Sequence, residues 1–200
     1  MTKPGRPRSQ RAQNSILDAA VDLLLTRDLP TVSMDAVATR AGVSKATIYR
    51  WWPTKETLAL DALYREWSAD GEAPPDTGSL RSDLEALLVP WVEEIRDRPY
   101  DVVIATLFAK ARSDAEFAEQ YIERLAKPRR SRARAVFTRA CDRGEIRQGI
   151  DMDLAIDLLY GPLYLRLLQG HAPIAPEFAR QIVNGVIDGL PKHAEANGHG

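Results

Sequence analysis

A single cysteine, Cys141, is all the thiol chemistry in the chain. No intrachain disulfide can form, and with no neighbouring group known to lower its pKa the thiol reads as buried and inert. Histidines are equally scarce: His171, His193 and His199 fall in a loop and a tail, without the paired helical spacing that holds zinc. Strand-like alternation, a glycine-rich phosphate loop, a serine elbow and a dinucleotide fingerprint are all missing. The expectation is therefore no catalytic residue, no cofactor and no metal. Long apolar runs are missing too. The first apolar segment, Ile16 to Leu25, is broken by Asp18 and Asp22, unlike a signal peptide. The longest, Leu154 to Leu168, contains Asp157, Pro162 and Arg166 and falls short of the roughly 20 apolar residues that span a bilayer. A soluble, cytoplasmic protein with no membrane partner is expected.

What is present is ordinary in bulk and uneven in distribution. Of 200 residues, 44% are hydrophobic and 28% charged, which suits a folded domain, or a small domain attached to a larger one. The formal net charge is -1. Residues 1–60 hold nine Lys or Arg against five acids, a surplus of four, so the rest of the chain is acidic. A basic end on an acidic protein suits a polyanionic partner met by that end, although solvated charge alone also explains it.

Helical spacing recurs along the whole chain, and the expected fold class is all-α. Ile16, Ala20, Leu23 and Leu24 make one apolar stripe. Ser33 can cap a short helix through Ala41, closed by Gly42, and Ser44 can cap a second running to about Trp52. Pro53 and Thr54 restart the chain into a helix reaching roughly Ala69. The Gly- and Pro-rich stretch 70–78 is the best domain boundary. Further helices are expected near 80–98, 100–111, 114–126, 128–143, 151–170 and 176–190. Asp114 and Asp151 are the expected caps, with Pro128 and Pro176 in first turns.

The segment from Thr31 to Trp52 has the logic of a helix-turn-helix, two short helices around the turn Gly42-Val43-Ser44. Ala38 is small enough for a close crossing, and Val37, Val43, Ile48 and Trp52 supply its apolar contacts. Stepping 100° per residue from Ile48 places Ser44 and Trp52 on the inward side. Ala46 and Arg50 fall opposite, flanked by Thr47 and Tyr49. That face is small, polar and basic, as a helix approaching base edges must be. Arg50 is the candidate for guanine readout, and Ala46 or the Thr47 methyl for a thymine methyl. Tyr49 and Lys55 suit phosphates, with plain packing the alternative for Tyr49. Trp51 lies nearer the inward side, so packing and DNA contact both stay open.

These residues resemble the tetracycline-repressor (TetR) family. The likeness is carried by Val37-Ala38, Ala41-Gly42-Val43-Ser44, Thr47-Ile48-Tyr49, the aromatic Trp52, and Lys55-Glu56 followed by Leu58. The resemblance implies a three-helix DNA-binding domain at about 10–70, behind a flexible basic arm at 1–9. It also implies a helical effector-binding and dimerisation domain at 71–200. It implies backbone contacts at Ser33, Tyr49 and Lys55, and base or groove contacts along Lys45, Ala46, Thr47, Arg50 and Trp51; Ser44 is a further candidate DNA-binding residue. In the arm, Arg6 and Arg8 belong to Gly5-Arg6-Pro7, similar to segments that lay an extended backbone in the minor groove; a solvated tail is the alternative.

For the body, the resemblance implies a homodimer, a palindromic operator and a small-molecule effector. Tyr64, Trp67, Trp91, Phe108, Phe117 and Tyr121 are the candidate effector-pocket residues, with plain core the alternative. The segment 151–170 is apolar round most of its circumference, and the next helix repeats Phe178, Ile182 and Val186. Leu159, Leu163, Leu167, Phe178, Ile182 and Val186 are thus the candidate dimer seam, with internal core the alternative. The run Lys127, Arg129, Arg130, Arg132, Arg134, Arg139 reads as a solvated face, or else as a site for an anionic effector. Two other readings remain: a helical carrier or enzyme with an incidental helix-turn-helix, and an architectural DNA protein without an effector.

Overall fold

Helix punctuation in this chain is local and explicit, and it sets the architecture. The structure is a computed structural model that describes residues 6–25, 29–68, 73–97 and 100–190. Among these residues there is no strand. The chain divides into two compact units: residues 1–71 with 98–126, and residues 72–97 with 127–200.

The first unit opens with α1 (Arg6–Leu24), whose Ile16, Ala19, Ala20 and Leu24 are buried. A 3-10 turn (Leu29–Thr31) leads into α2 (Met34–Ala41), capped by Ser33, whose Oγ accepts from the Ala36 amide at 3.1 Å. Gly42 ends α2 at φ 66°, a left-handed geometry that only glycine adopts without strain, and Val43 N–H returns to Ala38 O at 3.1 Å. Ser44 caps α3 (Lys45–Tyr49) through the Thr47 amide. After α4 (Lys55–Ser68) the unit resumes with α6 (Tyr100–Ser113) and α7 (Ala115–Tyr121), and closes with a π-helical turn (Ile122–Ala126). The α1–α2 and α1–α4 contacts build the core, with Leu58, Leu60, Ala62 and Leu63 of α4 almost wholly withdrawn from water. Each such leucine contributes roughly 1.5–3 kcal/mol on burial. The ion pairs Asp22–Arg40 and Asp18–Arg65 tie α1 to α2 and α4 on the outside. Exposed pairs of this kind add little.

The second unit packs α5 (Leu80–Asp97), α8 (Lys127–Asp142), α9 (Met152–Gln169) and α10 (Pro176–Gly189). Leu84, Leu88 and Val92 of α5 are fully buried, and α5 packs on α10 and α8. Asp83 is the buried charge of the described residues, and its surroundings explain why it is tolerated. Burial pushes its carboxyl up, but the Thr77 N–H (2.6 Å) and O–H (2.7 Å) and the Arg143 guanidinium (3.2 Å) outweigh that and hold it below the ordinary aspartate range. Beside it, Glu145 accepts from the Leu80 amide at 2.7 Å and so caps α5 from a distant loop.

The expected helices are all found, with Asp114 and Asp151 capping through the Phe117 and Leu154 amides, both at 3.0 Å. Three features differ. The second helix of the helix-turn-helix ends at Tyr49 rather than near Trp52, because Pro53 bars Trp52 from continuing the helix. The Trp51 and Trp52 amides instead both return to Ile48 O, at 2.9 and 3.0 Å. The π-helical turn has no counterpart in the sequence reading. Helix α1 begins at Arg6, so the backbone of Arg6 and Arg8 is helical and not extended; Lys3, Pro4 and Gly5 lie outside the described residues.

Candidate nucleic-acid interface

The geometry of α3 follows from its two ends and one buried residue. Ser44 fixes where it starts, Pro53 fixes where the chain must leave, and Ile48, wholly buried, fixes which side faces the core. Val37 and Trp52 join Ile48 inside, while Val43 is half-buried. Ser44, Lys45, Ala46, Tyr49 and Arg50 are left exposed, with Thr47 and Trp51 half-buried. The five-residue helix thus offers solvent a continuous polar and basic face.

Hydrogen bonds sort these side chains by how free they are. The Ser44 and Thr47 hydroxyls bond each other at 2.9 Å, so Thr47 presents its methyl more freely than its oxygen. Ser33 is exposed with its Oγ engaged by the α2 cap. Lys45 is held by Asp35 of α2 at 2.9 Å, and that hydrogen bond raises the ammonium's pKa. Lys55 donates to Pro30 O at 2.8 Å. Arg50 differs from all of them: its guanidinium lies 4.4 Å over the Trp51 ring and meets no hydrogen-bond acceptor among the described residues. Tyr49 is 45% exposed. Trp51, past the end of the helix, is edge-on to Trp52 at 5.8 Å. Arg6 and Arg8 stand in the first turn of α1.

Sequence reasoning missed the side chains that support this face. Trp52 Nε1 donates to Asp61 of α4 at 2.7 Å, and Arg124 of the π-helical turn pairs with the other carboxylate oxygen of Asp61. No local spacing marks either residue. A cavity of about 310 Å³ opens here, lined by Trp51, Trp52, Thr54, Asp61, Phe117 and Arg124 among others.

The candidate effector aromatics are scattered. Phe117 lines that cavity, and Phe108 and Tyr121 meet edge to face at 6.4 Å. Trp67 packs edge-on against Tyr100 at 5.8 Å, and Tyr64 is 41% exposed. Trp91 belongs to the second unit, buried against Tyr160 and Tyr164, with Arg129 4.0 Å over its ring and donating to the Tyr164 hydroxyl at 2.9 Å. Its indole N–H is buried and meets no acceptor among the described residues. Burial pushes the neighbouring Tyr160 phenol up to about 12.

The candidate seam residues face inward. Leu159, Leu163, Leu167, Ile182 and Val186 are buried in the second unit's own core, and Phe178 is half-buried beneath Arg166. The exposed stripe of α9 is Leu154, Leu158, Leu165 and Leu168, with Gly161 open between them. A helix apolar all round gives no sign of which face a neighbour covers. The basic run of α8 is not simply solvated either: Arg130 pairs with Asp153 and Asp157, Arg134 with Asp153, and Arg139 with the Pro74 carbonyl. Cys141 is buried, and that burial raises its thiol, as an inert structural cysteine requires. Among the described residues no His, Cys, Asp or Glu cluster could hold a metal, and no helix is long and apolar enough to cross a membrane.

Residues 16–62 match the family described as bacterial regulatory proteins, tetR family, and residues 74–186 match the tetracyclin repressor-like C-terminal domain. An HTH-type transcriptional regulator of Bacillus subtilis (strain 168), YdeS, is 34% identical over 189 residues, covering 94% of both chains. The DNA-binding transcriptional repressor TetR of Mycobacteroides abscessus is 29% identical, covering 90% of this chain and 94% of that protein. Among solved structures, the TetR family transcription regulator SCO0332 superposes with a TM-score of 0.75 at 34% identity, covering 89% of this chain and 97% of that one.

Proposed function

The chain belongs to the TetR family of DNA-binding transcriptional regulators, and from that premise we propose that it is a homodimeric repressor that binds a palindromic operator and is released by a small-molecule effector. The observation that carries the DNA-reading part is the outward face of α3. Arg50 is exposed, stacked and without an acceptor among the described residues, while the opposite residue Ile48 is fully buried. A planar guanidinium held ready by an aromatic ring suits bidentate readout of a guanine edge. Ala46 and the Thr47 methyl suit thymine, and Tyr49, Ser33 and Lys55 suit the phosphates on either side. Lys45 joins them once it leaves Asp35.

The exposed leucine stripe of α9 supports the dimer. Counted with Gly161, its positions recur at alternating steps of four and three residues, the spacing at which two helices interlock. A two-fold pair of reading heads about 34–36 Å apart requires a palindromic site. Trp91 supports the effector: a buried indole N–H lacking an acceptor among the described residues, beside two tyrosines and an arginine, favours a ligand that brings an aromatic surface and a hydrogen-bond acceptor. Shifting such a repressor from 1:99 to 99:1 takes about 5.5 kcal/mol of discrimination between its states.

Selection of bound duplexes from a random pool tests the reading. The expected product is a palindrome, and Arg50→Ala should lose preference at one base position per half-site. Equal binding of the recovered and a scrambled duplex at moderate salt would overturn sequence-specific recognition.

A further inference from the structure

The recognition helix is only five residues long and makes few contacts of its own, so something outside it must set its angle. The side chains behind its exit form a continuous chain of contacts within the first unit. Arg50 lies 4.4 Å over the Trp51 ring, and Trp51 meets Trp52 edge-on at 5.8 Å. Trp52, 4% exposed, gives its indole N–H to Asp61 Oδ2 at 2.7 Å. Asp61 Oδ1 pairs in turn with Arg124. An indole can only donate, and a buried one without an acceptor is penalised, so the orientation of Trp52 follows the orientation of that carboxylate. With one oxygen on the indole and the other on the guanidinium, the Asp61 carboxylate is held from both sides.

We infer that Asp61, clamped by Arg124, is a positioning residue for DNA reading: it fixes the Trp52 ring, and through Trp51 the approach of Arg50 to the bases. The inference rests on the DNA-reading role of α3 proposed above. Bidentate contacts tolerate only small displacements, so loosening the clamp weakens specific recognition without removing any DNA contact. Asp61 and Arg124 are 26% and 36% exposed, enough for neutral substitutions to be accommodated.

The test uses the full chain, the duplex recovered with the wild-type protein, and a scrambled duplex, each titrated over a range of salt. Arg124→Gln is expected to weaken binding to the recovered duplex by about threefold to thirtyfold. The scrambled duplex should be bound as before, and the salt slope should not change. Arg124→Lys should restore most of the loss. In an Arg50→Ala background, Arg124→Gln should have almost no further effect, because the group being positioned is gone. Asp61→Asn keeps an acceptor for the indole but not the charge for Arg124, and should show the same pattern at smaller size. Wild-type affinity in Arg124→Gln, or a loss that persists without Arg50, would overturn the inference. A salt slope lower by about one would make Arg124 a phosphate contact and equally overturn it. A wild-type protein that cannot tell the two duplexes apart would instead sink the DNA-reading role itself.

Discussion

Helices α3 and α9 each bury one side and turn the other to solvent, yet what they turn outward is opposite in kind. On α3 the exposed side chains are Ser44, Lys45, Ala46, Tyr49 and Arg50, around a buried Ile48. On α9 they are Leu154, Leu158, Leu165 and Leu168, 42–55% exposed, while Leu159, Leu163 and Leu167 occupy the core. A polar, basic face loses little by staying in water and is stabilised on meeting phosphate and base edges. An apolar stripe of this length is poorly suited to water and finds its complement in another apolar surface. Under the function proposed above, the contrast suits α3 to nucleic acid and α9 to a second copy of the chain.

Charging the exposed stripe is the strongest way to break that assignment. Leu158→Glu together with Leu165→Glu should give a monomer by light scattering. Operator affinity should fall by about 10²–10⁴-fold, because the second half-site then binds independently. A double variant that stays dimeric would remove this face from the seam. The matched control is Leu163→Ala on the buried side, 1% exposed. It should lower unfolding stability by about 2–5 kcal/mol in denaturant titrations while leaving the oligomeric mass unchanged. If it split the dimer instead, the two faces of α9 would exchange roles.

The N-caps sharpen the comparison at a smaller scale. Ser44 holds the Thr47 amide at 3.2 Å, and Asp151 holds the Leu154 amide at 3.0 Å. Replacing either by alanine should cost about 1 kcal/mol in thermal unfolding. Only Ser44→Ala should also weaken DNA binding, since it alone starts the recognition helix. Equal effects of both caps on DNA affinity would mean that global stability, not the geometry of α3, governs binding.

The two helices also differ in how far their sequences disclosed them. In α2 and α3 every boundary is enforced by a residue with one structural use: Ser33 and Ser44 as caps, Gly42 at positive φ, and Pro53 as a stop. A single buried isoleucine then settles which side chains point outward. The start of α9 was equally plain from Asp151, but its ten or so apolar residues surround the axis and hide which stripe is covered. The supports of the interface were hidden for another reason. Asp61 and Arg124 are ordinary charged residues that meet only when distant segments pack, and Asp35 meets Lys45 only across the α2–α3 crossing. The π-helical turn bearing Arg124 carries no Gly or Pro to announce it.

Asp35 provides the finest test, because it puts a negative charge beside the face proposed to meet DNA. It is 70% exposed and holds Lys45 at 2.9 Å, so it both repels phosphate and occupies a cation that phosphate could use. A surface pair of this kind contributes little to folding, so neutralising it should leave the melting temperature nearly unchanged. Asp35→Asn should therefore tighten binding to recovered and scrambled duplexes alike. The slope of log K against log salt should steepen by about 0.9, the increment for one more phosphate neutralised by a lysine. Because the released Lys45 would meet the backbone and not a base edge, the ratio between the two duplexes should stay where it was. A change in that ratio would place Lys45 among the base-reading residues with Arg50, and the division of α3 into a reading edge and a phosphate edge would have to be redrawn.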